Sequence, residues 1–220
     1  MFEHTLTLLL SGEFVCAVRY PDAWRFLEDE AQRREAEAFL QRLGRRLART
    51  RQGGAWFAAY REIGAEERRL IRDGFAEIKH NLRFLVGFFV HVMQARRQDQ
   101  FLAPGSLIET NRLMAAIDEN PSLRSELQAL AGLGKGPAGD GSLRQTLERF
   151  LKRLNDDGYL VLANPEREIY EVTGKVEYLQ EVVDFLMTHQ SIPDEVPEGE
   201  GASDADGDWT DGAGRQGSLL

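Results

Sequence analysis

Five arginines lie close together between residues 42 and 51, and their type and spacing give the clearest chemical signal in the chain: Arg42, Arg45, Arg46, Arg49 and Arg51. Guanidinium groups at such spacing can neutralise backbone phosphates and release counterions, which gives strong salt dependence without base recognition. They are therefore candidate DNA contacts. The competing interpretation is a solvated helix face, because runs of charge commonly serve only solubility.

A second basic patch lies about a hundred residues later and is weaker, because Glu148 interrupts it. It consists of Arg144, Arg149, Lys152 and Arg153. Solvation is the favoured interpretation here, with Lys152 and Arg153 as the candidate DNA contacts if the patch meets nucleic acid.

Two motifs resemble known ligand sites but lack essential residues. In "GLGKGPAGDGS", Gly136 follows Lys135 where a phosphate-binding loop requires Ser or Thr. In "DADGDWTDG", Trp209 stands where a calcium-binding loop requires Gly, and Arg215 where it requires Glu. Neither a nucleotide site nor a calcium site is predicted.

Catalytic and metal-binding groups are not arranged in any recognisable pattern. The histidines, His4, His80, His91 and His189, are scattered, and the single cysteine, Cys16, matches a buried small hydrophobe. Nothing assembles a nucleophile, a base and an oxyanion donor. The sequence therefore predicts a binding protein with no catalytic residues, no metal and no cofactor.

Charge is distributed unevenly along the 220 residues. The net charge is −9, but residues 190–220 hold eight acids against Arg215 alone, so the remainder carries about −2. This acidic tail is poor in apolar residues and is expected to be disordered. The chain starts without a basic, apolar leader, and its most hydrophobic run, residues 82–93, is too short and polar to span a bilayer. A cytoplasmic protein that does not contact membranes is expected.

The first block of elements is predicted to be helices followed by a hairpin. A helix should begin at Pro21 and run to about Ala48, with Ala36, Leu40, Leu43 and Leu47 on its buried face. The arginine cluster is then expected on this helix and on the start of the wing that follows it. The glycines of Gln52-Gly53-Gly54 can take positive φ, which favours a turn before the strand "AWFAAY".

The middle block is predicted to be one long helix. Its apolar residues alternate at spacings of four and three: Ile71, Phe75, Ile78, Leu82, Leu85, Phe89 and Val92. A central connector at a domain or subunit interface and a simple core helix fit this pattern equally well.

The third block repeats the order of the first. "LIETNRLMAAIDENPSLRSELQAL" predicts two helices divided at Asn120-Pro121, and "SLRQTLERFLKRL" predicts a third. Two strands, "YLVLA" and "REIYEV", should turn at Asn164-Pro165, before a last helix in "KVEYLQEVVDFLMT".

Helices followed by a two-stranded hairpin form the winged-helix variant of the helix-turn-helix. The predicted fold is therefore mainly α with small β-hairpin wings, an α+β chain of tandem winged-helix domains joined by a long helix. The expected divisions are an N-terminal winged-helix domain at 1–62, a helical connector at 63–103, a C-terminal winged-helix domain at 104–189, and the acidic tail at 190–220.

Three stretches together resemble the bacterial MukE family of condensin accessory subunits, and MksE in particular. They are "RFLEDEAQRREAEAFLQRLGRRL" with its Gly53-Gly54 wing, "IKHNLRFLVGFFV", and "FLKRLNDDGYLVLANPEREIYEVTGKVEYLQEVVDFL". The resemblance covers residues 1–188 and leaves the tail unmatched.

That resemblance implies a homodimer that binds a kleisin subunit of the MksF or MukF type, through residues that the sequence does not identify. Through the kleisin it would join an SMC ATPase of the MksB or MukB type, which hydrolyses the ATP, and contact DNA without sequence preference at the nucleoid. Such complexes serve chromosome condensation and segregation, and some act with a nuclease subunit in plasmid defence.

Two other functions remain open. A winged-helix transcription regulator would bind one operator tightly and selectively. A purely structural adaptor would never contact DNA, so that Arg45→Glu and Arg46→Glu would leave its function intact.

Overall fold

A computed structural model describes residues 1–97, 101–133 and 142–188, apart from the side chains of residues 71, 73–80, 132 and 133. Over these residues the protein is mainly helical with two small antiparallel sheets, as the α+β prediction requires. Its elements, in order, are α1 (Phe2–Leu10), α2 (Pro21–Glu28), α3 (Glu30–Arg42), β1 (Arg45–Arg49), β2 (Trp56–Tyr60), α4 (Ala65–Arg96), β3 (Leu107–Glu109), α5 (Thr110–Glu119), α6 (Pro121–Leu133), α7 (Leu143–Asp156), β4 (Leu160–Asn164), β5 (Ile169–Val172) and α8 (Lys175–Thr188).

The helix predicted to begin at Pro21 does begin there, but it is not continuous. It breaks at Asp29, whose side chain caps α3 by accepting a hydrogen bond from the Gln32 amide at 3.0 Å. Arg42 lies on this helix as predicted, but the prediction that the helix also carries Arg45, Arg46 and Arg49 is wrong. α3 ends at Arg42, and Gly44 follows in a left-handed conformation (φ 69°) that a helix cannot continue through.

The first hairpin therefore starts earlier than predicted. β1 pairs antiparallel with β2, with Arg45 opposite Tyr60 and Arg49 opposite Trp56, so Arg45, Arg46 and Arg49 are strand residues. Leu47, predicted on the buried helix face, lies on β1, and Leu43 is 50% exposed. The predicted glycine turn is confirmed, with Gly53 at φ 87°. Val15 extends the sheet by exchanging two 2.8 Å backbone hydrogen bonds with Trp56.

The long middle helix is confirmed as α4, a single helix of 32 residues. Leu85, Phe89 and Val92, from the predicted seam, are buried in the largest core together with side chains of α5, α6 and α7. The side chains of Ile71, Phe75, Ile78 and His80 lie outside the described part of the chain.

The third block follows the predicted order with one addition. α5 and α6 divide at Pro121, and α7 begins at a capping box in which Ser142 and Gln145 exchange side-chain to backbone hydrogen bonds. The addition is β3, in a stretch predicted as helix. It joins the second hairpin in a sheet ordered β3-β5-β4. The glycine-rich loop at 134–141, His189, the acidic tail and its calcium-like motif lie outside the described residues.

One small core cluster joins the two ends of the chain. Ala48, Phe57 and Ala59 from the first hairpin pack against Tyr178 and Val182 of α8. The backbones also approach closely here, because a side chain added at Gly174 would overlap the carbonyl oxygen of Gly54. α8 therefore covers one face of the first hairpin.

Candidate nucleic-acid interface

The first hairpin divides the predicted arginine cluster between its two faces. Successive strand side chains point to opposite faces, so Arg45 and Arg49 share one face with Leu47, while Arg46 shares the other with Ala48. Leu47 packs against the core of α1, α2 and α3, and Ala48 packs beneath α8. The cluster is therefore not one continuous arginine surface.

Arg49 is held by contacts within the protein. Its Nη2 lies 3.1 Å from the Glu28 carboxylate, and its Nε donates a 2.9 Å hydrogen bond to the Gly53 carbonyl. The guanidinium also lies over the rings of Trp56 and Trp24, at 4.7 and 5.2 Å from their centroids. Arg49 thus fixes the hairpin against α2 and is a weak candidate for contacting a ligand.

Arg45 is oriented but retains its hydrogen-bonding capacity. Its guanidinium carbon lies 3.6 Å from the centroid of the Tyr60 ring, directly across the hairpin. Stacking uses the face of a guanidinium and leaves the N–H groups at its edge available. Among the described residues no hydrogen bond or ion pair occupies those N–H groups, so Arg45 is pre-positioned for an anion.

Arg46 lies on the α8 side of the hairpin and is partly enclosed. Its Nη2 atom is buried and has no hydrogen-bond partner within the described ranges. A buried guanidinium nitrogen without an acceptor is unfavourable, because its desolvation is not compensated. Arg46 is thus a cation whose hydrogen bonding remains incomplete.

The remaining hairpin cations are exposed. Arg42 ends α3 and Arg51 lies in the turn, and neither side chain forms a hydrogen bond, ion pair or ring contact with the described part of the chain. Arg61, which was not predicted from the sequence, follows β2 directly, and its exposed side chain likewise has no partner among the described residues. Its backbone amide donates a 3.0 Å hydrogen bond to the Gly44 carbonyl. Because Arg61 lies opposite Gly44, knowledge of the hairpin register would have placed it beside Arg42 and Arg45. We call Arg42, Arg45, Arg46, Arg51 and Arg61 the hairpin cations.

The second basic patch is mostly neutralised by neighbouring groups. Arg153 donates to Asn81 at 2.6 Å, lies 3.7 Å from Asp157, and sits 4.5 Å from the Phe84 ring centroid. Arg144 pairs with Glu148 at 2.7 Å and with Glu168 at 2.5 Å, and these contacts raise its pKa. Lys152 is exposed. Arg153 therefore braces α7 against α4, and only Lys152 of the two predicted contacts keeps an uncommitted charge.

Two buried carboxylates of α8 hold the hairpin turn, and no local sequence pattern marks them. One oxygen of Glu177 accepts hydrogen bonds from the Thr50 hydroxyl at 2.5 Å and the Gly54 amide at 2.7 Å. Glu181 accepts from the Arg51 amide at 2.6 Å, and burial raises the pKa of its carboxyl. We call this pair the carboxylate clasp, and it fixes the turn that carries Arg51.

A cleft of about 430 Å³ opens beside the clasp. Its lining combines apolar side chains with polar ones, from the hairpin turn, α4, the segment before β3, and α8: Gln52, Val86, Phe101, Leu102, Ala103, Pro104, Glu177, Gln180, Val183 and Asp184. Helices, a turn and an extended segment therefore all contribute to the wall of the cleft.

The described residues show neither a membrane-spanning helix nor a metal-binding cluster. No helix in the described ranges has both the length and the apolar character needed to cross a membrane. The described residues also contain no group of three or more His, Cys, Asp or Glu side chains placed to hold a metal ion.

Comparison with protein families assigns the chain to a class. The family model of the condensin complex protein MksE matches residues 2–183, which is most of the chain. The chain belongs to this MksE family, as the resemblance noted in its sequence indicated, and its family is one of condensin complex subunits that act together with other subunits. No curated protein matches the chain.

Proposed function

We propose that this protein is a non-catalytic accessory subunit of a bacterial SMC-kleisin complex, in which it dimerises, binds the kleisin and helps to hold DNA. In this proposal it meets an MksB-like ATPase only through an MksF-like kleisin, at the nucleoid in the cytoplasm. The family match over residues 2–183 is the observation that carries the proposal. Chromosome condensation and segregation, or plasmid defence with a nuclease subunit, are the processes it would serve.

The order of elements supports two winged-helix units within that subunit. In the first half, α1, the Val15 bridge, α2 and α3 precede the β1-β2 hairpin. In the second half, α4, β3 and three further helices precede the β4-β5 hairpin, with β3 paired to β5. Helix, short strand, helices and then a hairpin is the order expected of a winged helix, with one additional helix in the second unit.

The hairpin cations support a DNA contact in the first unit. Arg42, Arg51 and Arg61 are exposed and Arg45 is stacked in place, so each can approach a phosphate without first breaking an internal ion pair. Phosphate contacts of this kind give affinity without sequence preference, which suits a subunit that holds DNA rather than reads it. Lys152 is a further candidate, whereas Arg49 and Arg153 are not needed.

The partner part of the proposal is tested by purifying the tagged full chain from its native host at moderate salt and identifying the proteins that accompany it. A long coiled-coil ATPase and a kleisin-like protein are the expected companions. Recovery of the chain alone, together with selective capture of a single genomic DNA sequence, would overturn the proposal in favour of a transcription regulator.

The DNA part is tested by fluorescence anisotropy with short duplexes of unrelated sequence, over a range of salt concentrations. Each lost phosphate contact lowers the slope of log K against log salt by about one. The double variant Arg42→Glu/Arg51→Glu should therefore lower that slope by about two. Arg112→Glu, which changes an exposed and unpaired arginine on α5, is the matched control and should leave the slope unchanged. Equal slopes for both variants would remove the hairpin from the interface.

A further inference from the structure

Several hairpin cations lack an acidic partner. Arg42 and Arg61 have no hydrogen-bonding or ionic partner among the described side chains, and a buried nitrogen of Arg46 lacks an acceptor, whereas the charge of Arg51 is partly offset by its electrostatic interaction with Glu181. The arginines of the second patch differ in this respect, since Arg144 and Arg153 are paired with carboxylates. An anionic ligand would therefore find its uncompensated cations at the first hairpin.

The same chain contains an anionic segment, whose charge is opposite to that of the hairpin cations. Residues 190–220 hold eight acids and one arginine, a charge of about −7, and include a tryptophan, Trp209. We infer that this acidic segment docks on the hairpin cations of its own chain and competes there with nucleic acid. The competition rests on the proposed DNA contact, whereas the docking does not.

The acidic segment follows α8, and the last turn of α8 lies close to the first hairpin. Leu186, in the last turn of α8, is partly buried against the small core cluster that Ala48, Phe57 and Ala59 of the hairpin form with Tyr178 and Val182 of α8. The end of α8 therefore lies near the hairpin. Since an extended chain spans about 3.3 Å per residue, a few residues are enough to reach cations at either end of the hairpin.

Tethering makes even weak docking effective. A segment joined to α8 acts at an effective concentration on the order of 1 mM. With an intrinsic Kd of about 0.1 mM, at the weak end of sequence-independent polyanion binding, the segment would occupy the hairpin about ten times more often than not. Apparent DNA affinity would then fall by about tenfold at low salt, because DNA binds only the open fraction.

The salt dependence of DNA binding should differ between a chain with the charged acidic segment and a chain without its charge. DNA that binds an uncovered hairpin releases its condensed counterions into solution. When DNA must first displace the acidic segment, the freed carboxylates take up counterions again, so the net number of ions released is smaller. The affinity of the intact chain should therefore depend less steeply on salt than that of a chain whose segment is uncharged, and the two affinities should converge as salt rises.

Docking is tested in the full-length chain by paramagnetic relaxation. A spin label is attached at Ser203→Cys, while Cys16 is buried and does not compete for the label. We expect selective broadening of the amide signals of Gly44, Arg51 and Arg61 at low salt, loss of the broadening at high salt, and loss of it in Arg42→Glu/Arg51→Glu. Arg112→Glu is the matched control and should keep the broadening.

Uniform or absent broadening would overturn the docking. Broadening seen only when labelled, isotope-free chain is mixed with unlabelled, isotope-enriched chain would also overturn it, since the segment would then reach a second copy instead of its own hairpin.

Competition is tested with a full-length variant in which the eight acids of residues 190–220 are changed to their amides. It should bind duplex DNA about ten times more tightly than the unaltered chain at low salt, with a steeper salt dependence. Equal affinities would overturn the competition while leaving the DNA contact in place. Failure of both chains to bind DNA, with the selective broadening intact, would overturn the proposed DNA contact instead.

Discussion

Removing the carboxylate of Glu177 should loosen the attachment of the first hairpin to α8. The side chain is 4% exposed, and one of its oxygens accepts the hydrogen bonds from Thr50 and Gly54 described above. Glu177→Ala would leave the part-buried Gly54 amide without an acceptor and the Thr50 hydroxyl with only its longer contact to the Ala55 carbonyl, at 3.4 Å. An unsatisfied buried donor costs about 1–3 kcal/mol, so we expect the free energy of unfolding to fall by about 1–3 kcal/mol.

Glu177→Gln provides the matched control, because both hydrogen bonds end on a single oxygen. The glutamine carbonyl can take that position and keep both donors satisfied, so it should cost about 1 kcal/mol or less, the difference between charged and neutral acceptors. Urea denaturation measures the two free energies, and hydrogen exchange of the Gly54 amide reports the attachment directly. An alanine variant as stable as the glutamine variant, with unchanged exchange at Gly54, would refute the role given to the clasp.

Three further predictions concern the same packing and two buried titrating groups. Gly174→Ala should lower the free energy of unfolding by about 1–3 kcal/mol in urea titrations, because its methyl group would displace the Gly54 carbonyl. Burial raises the pKa of Glu181 above 4.5 in the folded protein. The stability that its protonation contributes is therefore present below pH 4.5 and is lost as the pH rises through the folded-state pKa. Melting temperatures measured from about pH 4 to 7 should show this loss in the unaltered chain and not in Glu181→Gln. Burial lowers the pKa of His91 below 6.5, although a Glu126 carboxylate oxygen lies 3.5 Å from its Nδ1. The stability contributed by the neutral imidazole is therefore present above pH 6.5 and is lost as the pH falls through the folded-state pKa. His91→Gln should remove this part of the pH dependence of the melting temperature.

Elements with a local signal were predictable from the sequence. Pro21, Pro121 and the Ser142 capping box mark helix starts through their own backbone and side-chain chemistry, and Gly53 marks a turn through its positive φ. The boundary at Gly44 was missed, because continuing leucine spacing suggested a helix where a left-handed glycine ends it. β3 was missed because three residues become a strand only by pairing with β5, which lies about sixty residues later.

The candidate site was less predictable than the fold, because the availability of a charge depends on its neighbours in space. Arg49 and Arg51 look alike in the sequence, yet Glu28 and two tryptophans hold the first while the second is exposed. The clasp was invisible for the same reason, since Glu177 on a helix surface looks like any solvated acid until the hairpin turn packs on it.

The clasp also bears on the order of events while the chain is being made. Gly54 and Glu177 are separated by 123 positions. At a synthesis rate of about 5–20 residues per second, roughly 6–25 s pass between the appearance of the turn and that of its acceptor. Throughout that interval Ala48, Phe57 and Ala59 have no α8 to cover them. The first hairpin therefore completes its folding only after most of the chain has been translated, and until then it presents an apolar strand face to whatever surrounds the nascent protein.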